Sequence, residues 1–127
     1  MADSIEAPAD RHLRQSGIIP AEKLRDCPVT IIGVGAIGRQ VALQLAVMGA
    51  GPLTLIDHDQ VEAVNLGAQG YRDEDLGRPK VLATADLVHQ LNGQLAVNTL
   101  HRRFLRSEDH RAERIFSCVD SVRCVGQ

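Results

Sequence analysis

Val29-Thr30-Ile31-Ile32-Gly33-Val34-Gly35-Ala36-Ile37-Gly38 is the stretch on which the fold turns. Its first four residues are all β-branched and show no polar alternation, the pattern of a short strand covered on both faces as in parallel sheets. Three glycines follow, and from Ile37 the apolar period becomes helical, with Ile37, Val41, Leu45 and Met48 on one stripe. A glycine pattern alone says little; placed after a strand and at the head of a helix it says more. Gly33 permits the tight turn, Gly35 lets a phosphate approach the backbone, Gly38 allows close packing of helix on strand, and the helix N-terminus favours anions. Gly49 and Gly51 stop the helix. Leu53 to Ile56 then reads as a second buried strand ending at Asp57, nineteen residues beyond Gly38, where a carboxylate can accept hydrogen bonds from ribose hydroxyls. Pro28 to Asp57 is thus a Rossmann-type nucleotide-binding unit with a right-handed connection and a phosphate seat at Gly33 to Gly38.

Working outward, the polar segment after Asp57 reads as irregular until Pro79, a favourable first-turn residue that opens a helix through Val81, Ala85 and Val88 to the Asn92-Gly93 stop. Leu95 to Leu100 reads as a third strand, Ser107 to Arg114 as a short helix, and Ile115 to Val119 as a fourth strand ending at Asp120. Upstream, residues 1–10 form a polar lead and Arg11 to Leu24 short helices around Ile18, Ile19 and Pro20. The expected architecture is α/β: a Rossmann-like half, a parallel sheet of about four strands with helices on both faces, preceded by a short helical N-terminal arm. Residues 1–27 are the arm and 28–127 the nucleotide-binding domain.

Composition fits one globular domain of 127 residues, 44% apolar and 24% charged. A net charge of −2 gives no electrostatic reason to expect a nucleic-acid or membrane partner, and the basic run from His101 to Arg106 reads as a solvated edge. Three cysteines without a Cys-x-x-Cys pair argue against a disulfide framework and a zinc knuckle, and a reducing, cytoplasmic location is expected. Met1 to Asp10 has no apolar signal core, and no apolar run reaches membrane-spanning length. Cys27 and Cys118 read as packing residues, and nothing marks Cys124 as activated. The five histidines, His12, His58, His89, His101 and His110, form no ligand spacing and read as surface or linker residues. Asp59, just past the second strand end, suits either the site or a turn cap.

Up to Asp57 the sequence fits a nicotinamide-dependent dehydrogenase as well as an ATP-binding enzyme. The residues that follow separate them. Asp57-His58-Asp59-Gln60-Val61, then Asn65-Leu66, then Gly77-Arg78-Pro79-Lys80 at a helix start, with Arg11-His12-Leu13-Arg14-Gln15 ahead of the core, resemble the ThiF, MoeB and ubiquitin-activating enzyme superfamily, over about Arg11 to Asp120. Members adenylate a C-terminal carboxylate. The resemblance implies that Arg14 reaches the nucleotide phosphates, commonly from the other protomer of a homodimer; that Asp57 holds the ribose; that Asn65 and Lys80 face the phosphates; and that Asp120, in Cys118-Val119-Asp120-Ser121, helps place magnesium. It also implies ATP as substrate and a ubiquitin-like or sulfur-carrier protein ending in Gly-Gly as partner.

The chemistry calls for those residue types in its own right. When a carboxylate attacks the α-phosphorus of ATP, charge grows on non-bridging oxygens and departing pyrophosphate, so fixed cations and magnesium stabilise the transition state. Arg14 offers a planar fork and Lys80 a compact charge, while a single aspartate such as Asp120 suits magnesium, which keeps most of its water. One position departs from the family. Where its members usually read Asn-Leu-x-Arg-Gln, this chain reads Asn65-Leu66-Gly67-Ala68-Gln69, and loss of a charged contact to the reacting phosphates costs on the order of 2 to 4 kcal/mol, or about 10² to 10³ in rate. Arg72, four residues on, is either a substitute or a solvated arginine. The family also continues for about as many residues again. A non-catalytic nucleotide-binding or scaffold subunit of the same fold is therefore the alternative, and an NAD-dependent oxidoreductase a more distant one.

Overall fold

A computed structural model describes residues 21–105 and 114–119. The elements in chain order are α1 (Ala21–Arg25), β1 (Val29–Ile32), α2 (Ala36–Met48), β2 (Leu53–Asp57), α3 (Ala63–Ala68), a 3-10 turn (Asp73–Asp75), α4 (Lys80–Leu91), β3 (Val97–His101) and β4 (Arg114–Ser117). The strands form one four-stranded sheet in the order β3-β2-β1-β4. All three pairings are parallel, with Ile32 level with Ile56 and Ser117, and Asp57 level with His101. The Rossmann-like half expected from the sequence is the fold observed.

Both crossovers, β1 to β2 through α2 and β2 to β3 through α4, run the same way across the sheet, so right-handed connections put both helices on one face. The core there joins Val29, Ile31, Leu53 and Leu55 of the strands to Ala42 and Ala46 of α2 and Val81, Ala85 and Val88 of α4. The alternate strand residues Thr30, Ile32 and Ile56 are buried too, which is why β1 shows no polar alternation. β4 is different. It is exposed along its length, with Ile115 and Phe116 among the exposed apolar residues.

Four details differ from the sequence reading. The apolar stripe of α2 packs on the sheet only in part: Ile37 is 69% exposed, Val41 and Leu45 lie half-buried against the core, and the buried residues are Gly38, Arg39, Ala42 and Ala46. Small side chains win because the helix sits close to the strand: a Cβ on Gly38 would lie 1.7 Å from the Gly33 carbonyl oxygen. The third strand begins at Val97, leaving Leu95 as a core residue, and the fourth runs Arg114–Ser117, two residues short of the expected end. The segment between Asp57 and Pro79 is built rather than irregular. Val61, Tyr71 and Ala83, with Leu66 against them, make a second small core, and the Asp75 carboxylate, fully buried, accepts hydrogen bonds from Arg72 N–H (2.9 Å), Nε (3.2 Å) and Nη2 (3.1 Å). Residues 107–113 of the predicted Ser107 to Arg114 helix and most of the N-terminal arm lie outside the described residues, while Arg114 itself opens β4. No helix among the described residues is long and apolar enough to cross a membrane.

Candidate functional site

The chain runs β1-β2-β3 in one direction and places β4 on the other side of β1, so the strand order reverses between β1 and β4. In open parallel sheets ligands bind beyond the carboxyl ends of the strands at such a reversal. A cleft, part of it open to solvent, lies there. Its floor is Ile32, Gly33 and Gly35 at the end of β1, with Cys118 and Val119 after β4; Ile56, Asp57, His58 and Asp59 line one side, with Lys80 near them and Arg102, Arg103 and Phe104 beyond β3.

The glycine turn is fixed from two directions. Gly33 has φ +92°, a left-handed conformation that disfavours side chains, and a Cβ there would press to 3.0 Å on Cys118 and Val119. Gly33 and Gly38 are glycines because the fold leaves no room. Gly35 is different: its φ is −76°, and a Cβ would meet only the end of the Gln69 side chain at 3.5 Å. The space around position 35 does not demand glycine, which is what a turn left open for a ligand's phosphate requires.

Asp57 ties the two strand ends together. Its Oδ2 accepts from the Val34 N–H at 2.9 Å and its Oδ1 from the Asp59 N–H at 2.8 Å. Each carboxylate oxygen has two lone pairs, so Asp57 keeps acceptor capacity toward the cleft while its orientation is held. Lys80 arrives by backbone pairing: Val61 N–H donates to Arg78 O (2.9 Å), Gly77 N–H to Val61 O (2.9 Å) and Lys80 N–H to Asp59 O (3.0 Å). This leaves the Lys80 ammonium nearly buried, 3.9 Å from Asp59 Oδ2, a fixed cation facing a cleft that also presents the N-terminus of α2.

Gly33, Gly35, Asp57, Asp59 and Lys80 therefore converge in one cleft. Gly38 does not line it and acts through packing. Asn65 does not line it either; its Oδ1 accepts the Glu62 N–H at 2.8 Å and caps α3. Arg14 and Asp120 lie outside the described residues, as does Cys124. Arg72 is neither substitute nor solvated, being half-buried and bound to Asp75. Ala68 is exposed at the end of α3, a helix without a basic residue.

Several cleft residues were not anticipated. The basic run makes Arg102, Arg103 and Phe104 look like a solvated edge, yet they follow a strand end, the position from which parallel sheets build sites. Cys118 belongs to the cleft floor, and burial pushes its thiol pKa up, so it is a neutral thiol rather than a nucleophile. His58 joins the cleft with Nε2 3.2 Å from Asp59 Oδ1. Tyr71 braces the turn from behind, its hydroxyl donating to Val34 O and lying 3.0 Å from Thr84 Oγ1; burial is the main reason its phenol is pushed well above the ordinary range.

Residues 9–125 match the model of the ThiF family. Over 106 residues the chain is 36% identical to the sulfur carrier protein ThiS adenylyltransferase of Escherichia coli, covering 80% of this chain and 42% of that protein. Among solved structures, the crystal structure of PaaA superposes with a TM-score of 0.76 at 29% identity, over 92% of this chain and 44% of the other. E. coli MccB with ATP superposes at 0.66 and 30% identity, over 78% and 31%. The chain spans less than half the length of each.

Proposed function

The chain belongs to the ThiF family, and from that premise we propose that it binds ATP at the glycine turn and adenylates the C-terminal carboxylate of a small ubiquitin-like or sulfur-carrier protein ending in Gly-Gly. The observation that carries this reading is the meeting, in one cleft, of the Gly35 turn, the oriented Asp57 carboxylate and the nearly buried Lys80 ammonium. Support also comes from the named activity of the E. coli relative and from the ATP in the MccB structure.

In the proposed reaction a carboxylate oxygen of the carrier attacks the α-phosphorus, the bond to the bridging oxygen breaks, and pyrophosphate leaves with that electron pair. An acyl adenylate remains. Backbone N–H groups at the head of α2 meet the phosphate charge, Asp57 accepts from the ribose, and Lys80 offsets charge that grows on the leaving oxygens. The Asp120 carboxylate is proposed to hold magnesium, which would supply positive charge for the pyrophosphate oxygens. Arg14 is proposed to reach the phosphates from a second copy of the chain in a homodimer.

The test is ATP–pyrophosphate exchange stimulated by carriers with a Gly-Gly terminus. Exchange that falls about 10²-fold or more in Lys80→Ala supports the reading, and no exchange with any such carrier rejects adenylation. Ala68 favours a second reading, a non-catalytic nucleotide-binding subunit. On that reading ATP binds without turnover and Ala68→Arg leaves the chain inactive.

A further inference from the structure

Arg39 lies in the first half of α2 and is only 8% exposed. Among the described residues no carboxylate pairs with its guanidinium, and its Nε is buried without an acceptor. One other buried side-chain atom shares that condition among the described residues, Oε1 of Gln69, and the two side chains are neighbours of the same turn. The guanidinium lies over the Tyr71 ring, 5.6 Å from its centroid, and so near Gly70 that a Cβ there would come within 2.9 Å of Nη1. The Gln69 amide stands 3.5 Å from the place of a Gly35 Cβ. Helical side chains lean toward the N-terminus, and the Arg39 N–H itself bonds the Gly35 carbonyl at 3.0 Å, so the guanidinium flanks the first turn of α2.

This placement is unfavourable on two counts when the protein's own groups alone are considered. A cation near a helix N-terminus opposes the dipole, and a charge taken from water without a counter-ion is costly. Both objections disappear when an anion sits at the Gly35 turn. We infer that Arg39 is a phosphate-binding residue: neither it nor Gln69 is among the residues lining the cleft, but together they stand behind its Gly35 edge on the side of α3, and the Arg39 fork supplies from α2 the positive charge that α3, ending in Ala68, does not carry. The inference rests on the nucleotide reading of the cleft. A tethering role in which the guanidinium only packs on Tyr71 is the competing account.

Calorimetric titration of the full chain with ATP and with adenosine separates them, since adenosine lacks the phosphates. Arg39→Met keeps length and the ring contact but removes the charge. It is expected to weaken ATP binding at least tenfold, leave adenosine affinity within twofold, and leave the unliganded melting temperature unchanged or higher. Arg39→Lys, which keeps charge and loses the fork, is expected to weaken ATP three- to tenfold and guards against a Met variant that fails to fold. Adding Ala68→Arg to the Met variant is expected to restore most of the lost affinity. Unchanged ATP affinity in both single variants, or equal loss of ATP and adenosine, overturns the assignment while leaving the nucleotide site standing. Wild-type protein that binds neither ligand overturns the nucleotide reading and Arg39's role with it.

Discussion

Residues 29–57 and residues 58–80 meet in the same cleft but are held by different physics. The first region is shaped by backbone: parallel ladders from Val29 to Ile32 on both sides, and a turn closed where glycine allows atoms to touch. The second is shaped by polar side chains aimed at nearby backbone, with Asn65 capping α3, Asp75 bound by Arg72, and Tyr71 reaching back to Val34. A backbone-built element tolerates no added atom, whereas a side-chain-built one fails when a single partner is removed. That contrast ranks the substitutions below.

Gly38→Ala should do the most damage. Its Cβ would overlap the Gly33 carbonyl at 1.7 Å, no rotamer relieves it, and helix and turn must separate. A loss of about 4 kcal/mol or more is expected, read as a collapse of the urea midpoint or of soluble yield. A Gly38→Ala protein with wild-type stability would break the claim that the first region is set by close backbone contact.

The same contrast explains what the sequence made legible. β1, the glycine turn, α2 and β2 follow from β-branched runs, glycine spacing and helical period, which report backbone directly. The cleft residues Gly33, Gly35, Asp57, Asp59 and Lys80 followed in turn, Lys80 only through the family pattern. The second region escaped because Asn65, Arg72 and Asp75 look like loop polarity; their hydrogen bonds are local, and residue type does not distinguish a solvated aspartate from a buried one. Arg39 carried a readable signal, a cation near the start of a helix, which the dipole disfavours. Its burial beside Gln69 and Tyr71 needed the tertiary fold.

Asp75→Asn is the next largest change. The amide keeps the shape but presents N–H groups to Arg72 and Arg78, so about 3 kcal/mol is expected to be lost at pH 7, falling on the 58–80 segment and on the Lys80 position it sets. Burial alone would raise the Asp75 carboxyl, but the hydrogen bonds and charge of Arg72, with Arg78 behind, outweigh it and hold it below its usual range. A lowered carboxylate pKa stabilises the fold above the unfolded value of about 3.9 and ceases to do so as pH falls through the lower folded value. Wild type should therefore lose stability below about pH 4 more steeply than Asp75→Asn. Parallel acid profiles would show the brace to be unimportant.

Tyr71→Phe tests the link between the regions. It removes the hydroxyl that joins Val34 O and Thr84 Oγ1 and leaves the ring under Arg39. About 1 to 2 kcal/mol is expected, with faster amide exchange at the glycine turn and at 71–84 together. Faster exchange in one region alone would mean that the two are held separately.

Gly35→Ala should do least to the fold and for that reason sharpens the comparison most. Its backbone has a negative φ, and the new methyl would meet only the end of the Gln69 side chain, at an ordinary contact distance of 3.5 Å, so stability should stay within about 0.5 kcal/mol of wild type. If the glycines of the first region served packing alone, position 35 would then be silent. A methyl on the face where phosphate must approach the helix N-terminus instead predicts a tenfold or greater loss of ATP affinity with no change in melting temperature. Gly33 and Gly38 cannot give that dissociation, because their substitution breaks the fold before binding can be read. Retained ATP affinity in a fully folded Gly35→Ala protein would move the phosphates away from this turn, and with them the partner that the Arg39 guanidinium lacks.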